Sequence, residues 1–177
     1  MPALTPVALL AASLLVLAGA MKVVDPTMTS GALRALGRPH APGLVRAGAA
    51  AEGALGIAAL VVGGWVTWAL VALSYLAFAA FVVAALRAGT MVGSCGCFGR
   101  EDTPPHWSHV ALNLAIAAGA AAVAVLAPGA ALASLRWDGG NGAVVVGLTA
   151  LALYLVHAAF VDLPRTLAAA RAVRPRT

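Results

Sequence analysis

The chain has 177 residues, of which 62% are hydrophobic and only 10% are charged. Roughly a quarter of the residues in a soluble domain are charged, so this composition excludes an ordinary soluble domain and indicates a polytopic membrane protein. The net charge of +5 does not indicate a nucleic-acid partner, because the basic residues lie between apolar runs and in the tail, without a basic face.

Long apolar runs dominate the chain. A helix needs about 20 apolar residues to cross the hydrocarbon core of a bilayer. Five runs satisfy this length, and we predict five spans at residues 6–24, 45–63, 66–88, 108–127 and 143–161. Gly63-Gly64 predicts a tight hairpin between the second and third spans, because glycine is a weak helix former. Trp65 and Trp68, which follow it, are of a type that favours the membrane interface.

The first run also allows a cleaved signal peptide, because it contains an Ala-Gly-Ala stretch that resembles a cleavage site. No Lys or Arg precedes the run, whereas a signal peptide begins with a charged region. We therefore predict a retained helix that ends before Pro26. A short interfacial helix is predicted at Ser30–Leu36. Asp162 and Pro164 are predicted to close the fifth span.

The predicted fold is all-α, a polytopic transmembrane helical bundle of five helices, with a four-helix core plus one. It occupies residues 1–163, and residues 164–177 form a basic tail. Five spans place ten basic residues on one side and Arg136 alone on the other. The positive-inside rule then predicts that the N-terminus lies outside and that the C-terminus and the loop after the third span lie in the cytoplasm. The crowded side receives Lys22, Arg34, Arg38, Arg46, Arg87, Arg100, Arg165, Arg171, Arg174 and Arg176.

That cytoplasmic loop carries the only two cysteines of the chain, Cys95 and Cys97. As a dithiol or disulfide they would close a very small ring at Gly96, and strained disulfides are the labile, catalytic ones. Two alternatives stay open. The pair could form part of a metal site with His106 or His109, although the spacing is not that of structural zinc. The cysteines could also be structural. We favour the redox interpretation.

Several polar residues are predicted in the same half of the membrane as the cysteine loop. Lys22 lies at the end of the first span and Glu52 near the start of the second. His109 and Asn113 lie at the start of the fourth span, and His157 and Asp162 lie at the end of the fifth. Ionisable residues inside a membrane face the bundle interior and often mark functional sites. We predict a polar pocket under the loop with a Lys22–Glu52 ion pair. The pair either pins two helices together or tunes a proton or a thiol, and both interpretations stay open.

The sequence resembles the MauE family of membrane proteins, which belong with the DoxX-like helical bundles. The resemblance covers about residues 5 to 163 and is carried by Ala18 to Lys22 with Asp25-Pro26, by Glu52 followed by Gly56, and by Cys95 to Gly99. It implies a multi-pass protein of a bacterial inner membrane, linked to methylamine utilisation. It further implies maturation of the disulfide-rich small subunit of methylamine dehydrogenase, together with a thioredoxin-like partner.

The predicted function is thiol–disulfide exchange, with Cys95 and Cys97 as the redox pair, Glu52 or His109 as proton acceptor, and Lys22 holding the pocket together. Whether the protein is itself an enzyme, a membrane thiol–disulfide oxidoreductase, is left open by the sequence. A non-enzymatic chaperone or scaffold and a small-molecule or metal carrier are the alternatives. The expected partners are membrane lipid and the thioredoxin-like protein, with no nucleic acid.

No cofactor and no dedicated metal site are evident. A quinone stays open but has no support, because the quinone-linked thiol oxidases use a Cys-x-x-Cys pair that this chain lacks. The predicted function and the predicted orientation conflict. Disulfides of exported proteins form outside the cytoplasm, whereas the charge asymmetry puts both cysteines inside.

Overall fold

Every regular element among the described residues is a helix. The computed structural model of the chain describes residues 4–88, 105–135 and 141–173. These residues form six α-helices and one short 3-10 helix at Leu132–Ser134. The α-helices are α1 (Thr5–Val24), α2 (Thr27–Ala35), α3 (Pro42–Val61), α4 (Trp65–Arg87), α5 (Trp107–Leu126) and α6 (Asn141–Val173).

Five of these helices are long and apolar enough to cross a membrane, namely α1, α3, α4, α5 and the first part of α6. A helix of about 20 residues spans roughly 30 Å, the thickness of the hydrocarbon core. The predicted all-α, multi-pass architecture is therefore confirmed. The sixth helix, α2, has 9 residues and is too short to cross. It occupies the place of the short helix that we predicted at Ser30–Leu36.

The core consists of two antiparallel helix pairs, α1 with α3 and α4 with α5. α6 lies outside these pairs and packs mainly against α1. Only 6% of the apolar membrane-spanning stretch of α6 is buried inside the bundle, compared with 50% for that of α1. The arrangement is a four-helix core plus one peripheral helix, as predicted. α6 also runs to Val173, beyond the predicted end of the fifth span. Pro164 removes one intrahelical hydrogen bond, which can kink a helix without ending it.

Two glycines let α1 and α3 approach closely. A Cβ atom at Gly19 would lie 2.7 Å from the carbonyl oxygen of Ala49, and one at Gly56 would lie 2.8 Å from that of Ala12. A side chain at either position would therefore push the helices apart. Small residues at such contacts are how helices pack in lipid, where no hydrophobic force drives them together. The close contact brings the last turn of α1 alongside the first half of α3.

The predicted hairpin between α3 and α4 is present at Gly63 and Gly64. Both residues have positive φ, 72° and 96°, which is the left-handed region that favours glycine. The turn packs on the segment that follows α5. The Gly64 N–H donates to the Pro128 carbonyl at 2.5 Å, and the Ala131 N–H donates to the Ala59 carbonyl at 3.2 Å. We call this region of the bundle the glycine-turn end.

The two tryptophans after the turn have different environments. Trp65 is 68% exposed, as expected for a side chain at a membrane interface. Trp68 is fully buried instead, and its indole N–H donates to the Gly129 carbonyl at 3.0 Å. The interfacial preference is overridden at Trp68 because its position on α4 faces the bundle interior and a carbonyl there satisfies the indole.

Candidate functional site

The end of the bundle opposite the glycine turn contains a buried ion pair. Lys22 Nζ donates to Glu52 Oε2 at 2.5 Å, and the two side chains are only 8% and 10% exposed. Lys22 lies in the last turn of α1, and Glu52 lies midway along α3. The pair that the sequence predicted is thus present, and it follows from the close contact of α1 with α3. We call this region the ion-pair end.

Each partner of the pair has a further feature. The Lys22 ammonium lies 4.8 Å from the centre of the Phe78 ring, which is the geometry of a cation–π contact. Glu52 Oε1 is buried and has no hydrogen-bond partner among the described residues. The cost of burying an ion pair is offset only when the remaining lone pairs are also hydrogen-bonded. Lys22 holds the carboxylate at Oε2, so Oε1 is the oxygen that can accept a further hydrogen bond.

A cavity of about 300 Å³ adjoins the ion pair, between α1, α2, α3 and α4. Most of its described lining is apolar, and among the described lining residues the polar side chains are those of Lys22, Glu52 and Thr29. Its described lining is Lys22, Thr29, Leu33, Pro39, Leu44, Val45, Gly48, Ala49, Glu52, Ala77, Phe78 and Phe81. A largely apolar cavity with a few convergent polar groups is the usual form of a small-molecule site.

The short helix α2 closes one side of this cavity. Two residues of α2, Thr29 and Leu33, line the cavity. α2 is held against the end of α4 by a small apolar cluster of Ala32, Ala85 and Phe81. A loop helix that the sequence suggested only as interfacial is thus part of the site wall.

The aromatic side chains on α4 were not predicted as site residues. Tyr75 is buried, and its hydroxyl donates to the Ala11 carbonyl at 2.6 Å. Its ring meets that of Phe78 edge-on, with centroids 5.9 Å apart. Phe78 in turn lies under the Lys22 ammonium. Residues three apart share a helix face, so the spacing of Tyr75 and Phe78 was the available sequence signal.

His109 and Asn113 are buried in the first turns of α5. The His106 backbone N–H donates to His109 Nδ1 at 3.2 Å, and Asn113 Nδ2 donates to the His109 carbonyl at 2.8 Å. The first contact caps the start of α5, and the second lies within the helix, between residues four apart. Neither residue is among the described lining of the cavity. The predicted polar pocket therefore unites Lys22 and Glu52 but does not include His109 in its wall.

The remaining predicted site residues, Cys95 and Cys97, lie outside the described residues. The connection that carries them runs from the end of α4 to the start of α5. In the antiparallel bundle both of these termini lie at the ion-pair end. No group of three or more His, Cys, Asp or Glu side chains within residues 4–88, 105–135 and 141–173 is arranged to hold a metal ion.

Comparison with known proteins identifies a matching family. The family model described as "Methylamine utilisation protein MauE" matches residues 1–128. This segment contains α1 to α5, the ion pair and both cysteines, and it ends before the peripheral helix α6. No curated protein and no solved structure matches the chain.

Proposed function

The chain belongs to the methylamine utilisation protein MauE family, and we propose that it matures a disulfide-containing partner by thiol–disulfide exchange at Cys95 and Cys97. The chain is a multi-pass membrane protein of that family. The proposed thiol–disulfide role is supported by the content of the matched segment. It holds the only two cysteines of the chain together with a buried ion pair at the end from which their connection extends.

The proposed exchange passes through a mixed disulfide. The Cys95 thiolate attacks a disulfide of the partner, forms one S–S bond and releases one partner thiolate. The Cys97 thiolate then attacks the mixed disulfide and releases the second partner thiolate. Two electrons move to the partner, and the pair is left as a disulfide. The reverse sequence oxidises a partner dithiol. Because the chain has two cysteines in total, a second thiol protein is needed to restore the pair in either direction, and we propose a thioredoxin-like protein for this role.

We assign the proton-accepting role to Glu52 in preference to His109. Glu52 Oε1 has no partner among the described residues, whereas His109 Nδ1 already accepts the His106 N–H. A nitrogen used in a helix cap must give up that bond to accept a proton. Lys22 acts in this proposal as a positioning residue, because it holds the carboxylate through its other oxygen.

The proposed location is a bacterial inner membrane, with the N-terminus outside and the cysteines on the cytoplasmic side. The support is the charge asymmetry, since Lys22, Arg34, Arg38, Arg46 and Arg87 all belong to the ion-pair end of the bundle. In this orientation the protein carries electrons between a cytoplasmic thiol protein and a partner at the membrane.

A trapping experiment tests the exchange. In Cys97→Ser the resolving thiol is absent, so we expect Cys95 to remain in a mixed disulfide with the protein whose disulfide it attacks, visible on non-reducing gels and lost on reduction. Maturation of the partner should fall by at least tenfold. The Cys95→Ser/Cys97→Ser protein is the matched control and should trap nothing. Full maturation by this cysteine-free protein would instead indicate a scaffold.

Labelling of intact cells tests the orientation. A membrane-impermeant maleimide should label neither cysteine until the cells are opened, and labelling should then increase after reductant if the pair is a disulfide. Labelling of intact cells would invert the proposed orientation. Labelling of opened cells that does not depend on reductant would contradict an oxidised resting pair.

A further inference from the structure

The cavity at the ion-pair end has two properties that point to a ligand. It measures about 300 Å³, the lower end of the range for small-molecule sites. Glu52, whose side chain is only 10% exposed, lines it and has an oxygen without a partner in the described chain. Buried polar atoms in proteins are nearly always hydrogen-bonded, so an unpaired carboxylate oxygen beside a cavity calls for a donor.

We propose that this cavity binds a small, neutral aromatic alcohol of the phenol or naphthol class. Its hydroxyl donates to Glu52 Oε1 and accepts from the Lys22 ammonium, and its ring lies against the wall that carries Phe78 and Phe81. This ligand site does not require the cysteines, but its hydroxyl uses the same oxygen, Glu52 Oε1, that accepts a proton in the proposed exchange, so a bound ligand competes with the exchange for that oxygen.

The charge of the site argues for a neutral ligand. Lys22 and Glu52 together carry no net charge, so a cationic ligand drawn to the carboxylate would meet the ammonium beside it. A hydroxyl suits both groups, because it is a donor and an acceptor at once. Lys22 has three N–H donors, and Glu52 Oε2 takes one of them.

The wall argues for an aromatic body. Phe78 and Phe81 lie one turn apart on α4 and both line the cavity. Aromatic rings pack edge-on or offset against one another more favourably than area alone predicts. A lipid acyl chain would fill the same space but would leave Glu52 Oε1 unpaired. The hydroxyl and the ring are thus each matched by a feature of the wall.

Binding is measured on the purified full chain in detergent micelles by ¹⁹F NMR line broadening. The probes are 4-fluoro-1-naphthol and 1-fluoronaphthalene, which differ in the hydroxyl alone. A hydrogen bond to a charged group corresponds to a discrimination of about ten- to a hundredfold. We therefore expect the naphthol to bind at least tenfold more tightly. Equal affinity of the two probes would overturn the proposal.

A cavity-filling variant separates specific binding from partition into the micelle. Gly48 lines the cavity, and a Cβ atom there would meet nothing within 4 Å. Gly48→Leu should therefore fold and reduce naphthol binding at least tenfold. Gly43→Leu is the matched control, because Gly43 is equally open but does not line the cavity. Unchanged binding in Gly48→Leu would overturn the proposed place.

A third variant tests the polar contact without leaving an unpaired buried charge. In Lys22→Met/Glu52→Met the cavity should still accept 1-fluoronaphthalene, while the preference for the naphthol should disappear. A preference that persists would exclude the ion pair as its cause. The Cys95→Ser/Cys97→Ser protein should bind like the native chain, so a failure of the ligand proposal is distinguishable from a failure of the thiol chemistry.

Discussion

The two ends of the bundle satisfy their buried polar groups by different means. At the glycine-turn end, the N–H groups of Gly64 and Ala131 and the indole of Trp68 all donate to backbone carbonyls. The cavity there, about 200 Å³, has no charged side chain in its described lining. At the ion-pair end, Lys22 and Glu52 are both charged and buried, and the larger cavity adjoins them.

The hydrogen bonds at the glycine-turn end serve the fold, whereas the ion-pair end is the candidate site for chemistry. Backbone hydrogen bonds at a turn complete the fold and need no titratable group. A buried ion pair is weak support for stability, because well-packed apolar residues often stabilise a protein as much or more. Within a membrane an ionisable side chain is expensive and is usually retained for function. Lys22 and Glu52 are therefore the residues at which substitutions should affect chemistry.

The largest expected effect comes from breaking the ion pair on one side. Lys22→Met leaves the Glu52 charge without its partner, and we expect the free energy of unfolding to fall by about 3–5 kcal/mol. Unfolding in mixed detergent micelles measures this. Lys22→Met/Glu52→Met removes both charges and should lie within about 1 kcal/mol of the native protein. If the free energy of unfolding falls by the same amount in the single and the double variant, an unpaired Glu52 charge carries no extra cost. The proposed difference between the two ends of the bundle would then be wrong.

A smaller effect is expected from the contact that brings the pair together. Gly19→Ala places a Cβ 2.7 Å from the Ala49 carbonyl oxygen, so the helices must separate. We expect a loss of about 2–3 kcal/mol, since the overlap is with backbone. Gly53→Ala is the matched control, because a Cβ there meets nothing within 4 Å and the helix should gain up to about 1 kcal/mol. Equal stability of the two variants would show that close approach is not required.

The smallest effect is expected at the glycine-turn end. Trp68→Phe removes the indole hydrogen bond to Gly129 while a ring stays in place, and we expect a loss of about 1 kcal/mol. Because this site shares no partner with the ion pair, the losses in Trp68→Phe and Lys22→Met should add within about 0.5 kcal/mol. Naphthol binding should be unchanged. A strongly non-additive double variant would show that the two ends are coupled.

Part of the site was predictable from the sequence, and the reason is topological. Alternating spans put the end of the first helix and the start of the second at the same side of the membrane, so Lys22 and Glu52 were expected to meet. His109, at the start of the fourth span, was expected to join them for the same reason. It does not line the cavity, because membrane depth alone does not determine the direction in which a helix face points. Phe78 was missed because an apolar aromatic in a span carries no polar signal.

The amino-acid sequence alone predicts the all-α class, the number of spans and the end of the bundle that carries most of the basic residues. Backbone groups in lipid must be hydrogen-bonded within a helix, so the length of each apolar run nearly dictates a crossing. Which side chains contact one another depends on the tertiary structure. The contacts at Gly19 and Gly56 set the spacing of α1 and α3, and the rotation of α4 buries Trp68 and puts Phe78 beside Lys22. Rotation and spacing depend on all the packed neighbours at once, which is why no single segment could reveal the cavity.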